Sequence, residues 1–148
     1  MVDDRNNPAG CNCLALRQAA RQITQLYDQF LTPSGIRATQ YSILARLHRN
    51  GPMTINTLAA ELVMDRTTLG RNIRPLARDG LIAVEQGKAD RRSKALRLTS
   101  AGVACFEAAR KGWTKAQAKF ERAFGAQRSE VLRALLAAVA SSELTTAA

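Results

Sequence analysis

Long apolar runs, histidine, paired cysteines and acidic charge are all in short supply in this chain, and each shortage removes a class of explanation. No stretch of its 148 residues approaches the roughly 20 consecutive apolar residues that a membrane span requires. The opening Met-Val-Asp-Asp-Arg-Asn-Asn-Pro lacks the charged-then-apolar layout of a secretion signal, so a cytoplasmic protein with no membrane partner is expected. Three cysteines, an odd number, argue against a disulfide framework. Cys11-x-Cys13 without histidine partners is a weak metal pattern, and no metal or cofactor is expected. With His48 as the single histidine and no Gly-rich phosphate loop, the chain holds no Ser/His/Asp set and reads as a non-enzyme.

What remains is apolar and basic. The 46% apolar content suits a folded core rather than disorder, and the length fits one domain with helical extensions. Lys and Arg outnumber Asp and Glu by 22 to 12, a formal net charge of +10. The excess is concentrated. From Arg66 to Arg97 there are nine basic residues (Arg66, Arg71, Arg74, Arg78, Lys88, Arg91, Arg92, Lys94, Arg97) against Asp79, Glu85 and Asp90, a net +6. Such a cluster is what phosphate neutralisation needs, and it implies salt-dependent binding to double-stranded DNA.

The same stretch carries a helix-turn-helix pattern. Ile55, Leu58, Ala59 and Leu62 return on one helical face behind Thr54, a capping residue. After a turn at Val63 and Met64, Asp65 caps a second helix whose inner face is Leu69, Ile73 and Leu76. Arg66, Thr67, Thr68, Arg71, Asn72 and Arg74 are left facing outward. Arg and Asn bond two atoms of a base edge at once, and Thr reaches a phosphate or a thymine methyl. Pro75 predicts a kink or early loosening of this helix. Beyond Asp79-Gly80, two runs with the two-residue period of a strand flank the turn Gly87–Arg92: Ile82 and Val84 point inward on the first, Leu96 and Leu98 on the second. Two helices and a basic-tipped hairpin make a winged helix-turn-helix, over about 52–100.

Residues 1–10, polar with Pro8 and Gly10, read as a flexible tail, and 11–148 as the single domain. Leu16, Ile23, Leu26, Tyr27 and Phe30 predict a helix over about 13–31, and Tyr41, Ile43, Leu44 and Leu47 a second from about Thr39 to Asn50. Val103, Phe106, Trp113, Phe120 and Phe124 form a seam of large side chains on a long later helix. Gly112 allows a bend or a close approach there. Val131, Leu132, Leu135, Leu136 and Val139 mark a final amphipathic helix, the whole C-terminal helical part covering about 101–143. The fold class is therefore mostly α with a small two- to three-stranded sheet. The one-sided apolar surface of the terminal helices exceeds what a small winged domain covers, so a homodimer is expected.

Leu58-Ala59-x-x-Leu62, a capped helix rich in Thr and Arg, Leu76-x-x-x-Gly80-Leu81-Ile82, Asp90-Arg91-Arg92 and Leu98-Thr99-x-x-Gly102 together resemble the MarR family of bacterial transcription regulators, from about Cys11 to Leu144. The resemblance implies a dimeric repressor on a pseudo-palindromic operator, its terminal helices forming the interface and its reading helices entering successive major grooves. It also implies Arg92 in the minor groove, with Lys88, Arg91 and Lys94 beside it, and Asp90 shaping the wing through a nearby Arg.

The opening of the first helix, from Cys13 to Tyr27, resembles the organic-hydroperoxide-responsive branch of that family. There a Cys at the place of Cys13 is oxidised to a sulfenic acid and DNA is released. If Asn12 caps the helix, Cys13 lies in its first turn, where the helix dipole favours a thiolate. The chain departs from that branch at Arg17 and at Ala38, where a Tyr is expected. Cys11 and Cys105 are candidate resolving thiols, and Cys105 beside Phe106 also reads as a small buried apolar residue. The other sensor compatible with the resemblance is a pocket for a small aromatic acid, with Arg17, Arg21 or Arg46 pairing its carboxylate and Tyr27 and Tyr41 nearby. A winged-helix adaptor that binds protein instead of DNA is the alternative from a different class.

Overall fold

A computed structural model, which describes residues 7–86 and 94–145, contains six α-helices and one small antiparallel sheet. After a 3-10 turn at Pro8–Gly10, the order is α1 (Asn12–Leu31), α2 (Ala38–Asn50), β1 (Met53–Thr54), α3 (Ile55–Glu61), α4 (Arg66–Arg78), β2 (Ile82–Gln86), β3 (Lys94–Leu98), α5 (Ser100–Phe124) and α6 (Ala126–Ala140). The sheet runs β1-β3-β2, with Met53 opposite Leu96 and Ile82 opposite Leu98. The two-residue β1, too short for a period-2 signal, completes the sheet beside the predicted hairpin.

The core is built where the apolar periodicities converge. Leu44 and Leu47 of α2, Leu58 of α3, Leu69 and Leu76 of α4, Ile82 and Leu96 of the sheet and Phe106 of α5 are buried together. Val84 corrects the sequence reading: it shares the inward face of β2 but is 44% exposed, because it lies toward the wing end of an edge strand, past the helices that cover Ile82. Pro75 does not loosen α4, which runs on to Arg78 and closes at Gly80 (φ +75°) with Gly80 N–H donating to Ala77 O and Leu81 N–H to Leu76 O.

Local chemistry sets the helix ends. Thr54 and Asp65 cap α3 and α4 as their sequences predict. At α1 the cap is the Cys11 sulfur, which accepts from Leu14 N–H at 3.4 Å; Asn12, expected as the cap, is instead the first helical residue. Asp28 of α1 accepts from Ala38 N–H at 2.7 Å and so fixes the start of α2 from a neighbouring helix. Between α3 and α4, Val63 adopts φ +52° in a left-handed turn in which Met64 N–H reaches Ala59 O.

α5 is the long element that joins the winged part to α1. It approaches at two glycines. A Cβ on Gly102 would lie 2.0 Å from Leu81 O, and one on Gly112 would lie 2.2 Å from Phe30 O. Gly112 thus supplies close approach. The seam on α5 is graded: Phe106 is buried, while Trp113, Phe120 and Phe124 are half-buried. On α6, Val131, Leu135, Leu136 and Val139 are exposed, as are Leu14 and Leu16 at the start of α1, so the chain alone leaves these faces uncovered.

Two substitutions test these backbone constraints by urea denaturation at fixed protein concentration. Gly112→Ala must push α1 from α5 and is expected to cost about 2–3 kcal/mol. Val63→Gly relieves a β-branched residue in the left-handed region and is expected to stabilise by about 1 kcal/mol. No loss in the first, or a loss in the second, contradicts this account of the packing.

Candidate nucleic-acid interface

α4 owes its two-sidedness to apolar spacing. Leu69, Ile73 and Leu76 are buried, so Arg66, Thr67, Thr68, Arg71 and Arg74 are exposed and Asn72 half-buried. Asp65 holds the helix start with two bonds, accepting from Thr68 N–H at 2.7 Å and from the Thr68 hydroxyl at 2.8 Å. These bonds, the backbone one first, hold the Asp65 carboxyl below its ordinary pKa. Asn72 donates to Thr68 O at 3.0 Å. Thr68 and Asn72 therefore already spend a donor each within the helix, whereas the three guanidiniums do not.

Ion pairing sorts the basic cluster. Arg78 pairs with Asp79 at 3.3 Å, and Arg97 with Glu85 at 3.1 Å diagonally across β2 and β3. Among the described residues, Arg66, Arg71 and Arg74 enter no ion pair. The positive charge left uncompensated thus lies on the exposed side of α4, with exposed Lys94 at the root of the wing. Lys88, Asp90, Arg91 and Arg92 lie outside the described residues.

The sensing candidates separate into two places. Cys11 and Cys13 are both exposed at the start of α1. Cys105 is half-buried, with its thiol 3.9 Å from Ser34 O, and burial pushes that thiol up, away from the reactive thiolate. A cavity of about 200 Å³ opens among α1, α2 and α5, lined by Ile23, Thr24, Tyr27, Leu31, Ala38, Tyr41, Ser42 and Trp113. Tyr27 and Tyr41 line it, whereas Arg17, Arg21 and Arg46 do not. Arg17 and Arg21 are exposed on α1, and Arg46 lies 3.5 Å from Glu61 at the end of α3, within ion-pair reach though its Nε makes no hydrogen bond. Periodicity in α1 and α2 does not reveal such partners, because a charge is drawn to the nearest opposite charge in space.

In the sequence Trp113 counts only toward the apolar seam, and neither Thr24 nor Ser42 carries a pocket signal. Trp113 stacks on Tyr41, with ring centroids 6.1 Å apart, and Tyr41 on Phe106 at 5.4 Å. Tyr27 donates to Gln117, 90 residues away, a pairing with no local signature. His48 is exposed, its ring 4.5 Å from that of Phe106. No group of three or more His, Cys, Asp or Glu that could hold a metal occurs among the described residues.

This arrangement has close counterparts. Residues 36–94 match the family model described as MarR family. The crystal structure of the M. tuberculosis transcriptional regulator MOSR in complex with DNA is 39% identical, with a TM-score of 0.75, covering 88% of this chain and 97% of that one. The chain belongs to the MarR family. Two relatives from Bacillus subtilis (strain 168) match over shorter stretches. The HTH-type transcriptional regulator YwoH is 33% identical over 84 residues, 57% of this chain and 61% of that protein. The organic hydroperoxide resistance transcriptional regulator is 28% identical over 91 residues, 62% of each. The chain spans less than two thirds of the length of either of these relatives. Within this MarR-family fold, α3 and α4 form the helix-turn-helix and β2 and β3 the stem of the wing.

Asp65→Ala is expected to lower the melting temperature by removing the α4 cap. Because the folded carboxyl titrates below its unfolded value, the cap's contribution is fully present above the ordinary carboxyl range and is lost as pH falls through the folded value. The gap in melting temperature between wild type and variant should therefore close on acidification; a gap that widens toward acid contradicts this role of Asp65.

Proposed function

We propose that this MarR-family chain is a homodimeric, sequence-specific DNA-binding transcriptional regulator of the cytoplasm, acting as a repressor. The observation that carries the reading is the exposed side of α4, where Arg66, Arg71 and Arg74 are unpaired while flanking Arg78 and Arg97 are neutralised. Thr67, Arg71 and Arg74 follow one stripe at helical spacing, which lets a helix laid in a major groove bring them to base edges and phosphates together. Arg92, with Lys88 and Arg91, serves the minor groove, and Asp90 shapes the wing. Among the described residues no helix is long and apolar enough to cross a membrane. Salt-sensitive duplex binding separates this reading from the alternative, a winged-helix adaptor that binds protein.

A second copy covers the exposed apolar faces of α1 and α6 and sets the two α4 helices about one helical turn of DNA apart. Residues 11–148 then act as one domain, the winged part over about 52–100 and the dimer helices over about 13–31 and 101–143.

Release follows from an effector, for which two observations each supply a route. Exposed Cys13 is open to a peroxide: its thiolate attacks the O–O bond, an alcohol leaves, and a sulfenic acid remains. The Cys11 thiol then condenses with that acid to a disulfide, with loss of water, and α1 loses its sulfur cap. The other route is a small aromatic molecule in the cavity beside Tyr27 and Tyr41.

Binding to DNA upstream of its own gene tests the reading. Arg71→Ala is expected to weaken binding and to reduce the slope of log affinity against log salt by about one unit. Cumene hydroperoxide is expected to abolish wild-type binding, reversibly with dithiothreitol, and to leave Cys13→Ser bound. Duplex binding unaffected by Arg71→Ala removes α4 from the interface, and equal peroxide responses in both proteins remove Cys13 from the switch.

A further inference from the structure

Backbone geometry accounts for most glycines among the described residues. Gly35, Gly51, Gly80 and Gly125 take positive φ, and Gly102 and Gly112 lie so close to neighbouring carbonyls that a Cβ does not fit. Gly70 meets neither condition. Its φ is not positive, and a Cβ built on it would meet nothing within 4 Å beyond its own helix and chain neighbours. It stands in the first half of α4, inside the helix, where glycine is weaker than alanine because a freer backbone must be ordered. The fold gains nothing from the missing side chain and is weakened by it.

The surroundings of Gly70 on the helix surface give the gap a meaning. Arg66 and Thr67 stand four and three residues before it, Arg74 four after it, and Arg71 adjoins it, so exposed side chains ring the gap. The three guanidiniums carry donors only, and none enters an ion pair among the described residues. Acceptors are withheld from this face. The Asp65 carboxylate is spent on the Thr68 N–H and hydroxyl. Asn72, the side chain that would suit adenine, lies about 200° round the helix from Gly70. It is half-buried, and it donates to Thr68 O at 3.0 Å. A guanidinium reaches a phosphate on its own long stem and needs no gap in the helix. A gap matters where the helix backbone itself must come close, and in a major groove that is against the base edges, where the N-terminal part of a reading helix lies deepest.

We infer that Gly70 is the point at which α4 closes on the base edges, and that the guanidiniums around it, Arg71 foremost, read guanine there through O6 and N7. The inference rests on the DNA-binding reading proposed above and adds to it the base that is read and the residue that sets the depth of insertion. Guanine presents two acceptors side by side in the major groove, which a forked donor matches. Cytosine presents an N4 donor there, for which this face keeps no free carboxylate. Gly70 acts as a positioning residue, and Arg71 makes the contact.

Selection of duplexes from a random pool by the full-length protein supplies the probe. The recovered duplexes are expected to share a dyad with a guanine in each half-site. Replacing that guanine by 7-deazaguanine, which pairs normally but lacks the N7 acceptor, should weaken binding by about tenfold. Gly70→Ala and Gly70→Leu fill the gap with good helix formers, and each should melt about 2–4 °C higher than wild type. Both should nonetheless bind the selected duplex more weakly, Gly70→Ala several-fold and Gly70→Leu by at least about tenfold. The slope of log affinity against log salt should not change, because no cation is lost. Binding by Gly70→Leu as tight as by wild type, a lowered melting temperature in either variant, or indifference to 7-deazaguanine overturns the inference. The pool also keeps the two readings apart. A dyad motif recovered without guanine dependence sinks this inference and leaves the regulator reading standing, whereas a pool with no enriched motif sinks both.

Discussion

The contact between α5 and the rest of the chain at two of its glycines is the constraint on which the other features depend. At Gly102 the helix backbone meets Leu81 O, and at Gly112 it meets Phe30 O, with no room for a side chain at either place. Thr99 reinforces the first contact: its hydroxyl reaches Gly80 O at 2.6 Å and also accepts from Gly102 N–H at 3.0 Å, capping α5 onto the turn that ends α4. The end of the reading helix, the sheet and the start of α5 are thereby tied together. One helix then carries that anchor to α1, so whatever moves α1 against α5 acts on the winged part through a stiff element.

The cavity lies at that α1–α5 contact and also touches α2. Its wall residues Tyr41 and Ser42 lie on the same helix as Leu44 and Leu47, which pack in the core with α4, and as Arg46, which pairs with Glu61 of α3. The protons of Thr24, Ser42 and Tyr27 in the cavity are committed to internal acceptors. The same economy governs α4, where Asp65 and Thr68 consume each other's hydrogen-bonding capacity and the unpaired arginines remain available. Affinity for a polyanion on such a surface comes from guanidiniums that have no internal partner, and the local ion pairs of Arg78 and Arg97 show that exposed arginine is not by itself available charge.

Short-range rules made much of this readable in advance. A capping oxygen acts over three residues, so Thr54 and Asp65 announced α3 and α4, and the 3.6-residue period separated Leu69, Ile73 and Leu76 from the exposed arginines. The same rules misplaced the cap of α1, because a cysteine sulfur is a weak acceptor and Asn12 is the more usual choice. They placed Val84 inside because alternation gives the face of a strand but not how far a helix covers it. The arginines suggested for a ligand pocket lie outside the lining of this cavity for a different reason. Composition suggests which charges a ligand would want, while Arg46 was already taken by Glu61, a neighbour in space from another helix. Tyr27 with Gln117 and Ala38 with Asp28 are likewise tertiary pairs that no sequence window contains.

Hydroxyl-radical footprinting on DNA upstream of the gene tests the central claim, that paired α4 helices grip one face of a duplex, most directly. The account predicts two protected patches related by a dyad and about one helical turn apart, flanked by minor-groove protection from the wings. Uniform weak protection with no dyad, or no protection at salt where the protein is folded and dimeric, would contradict it.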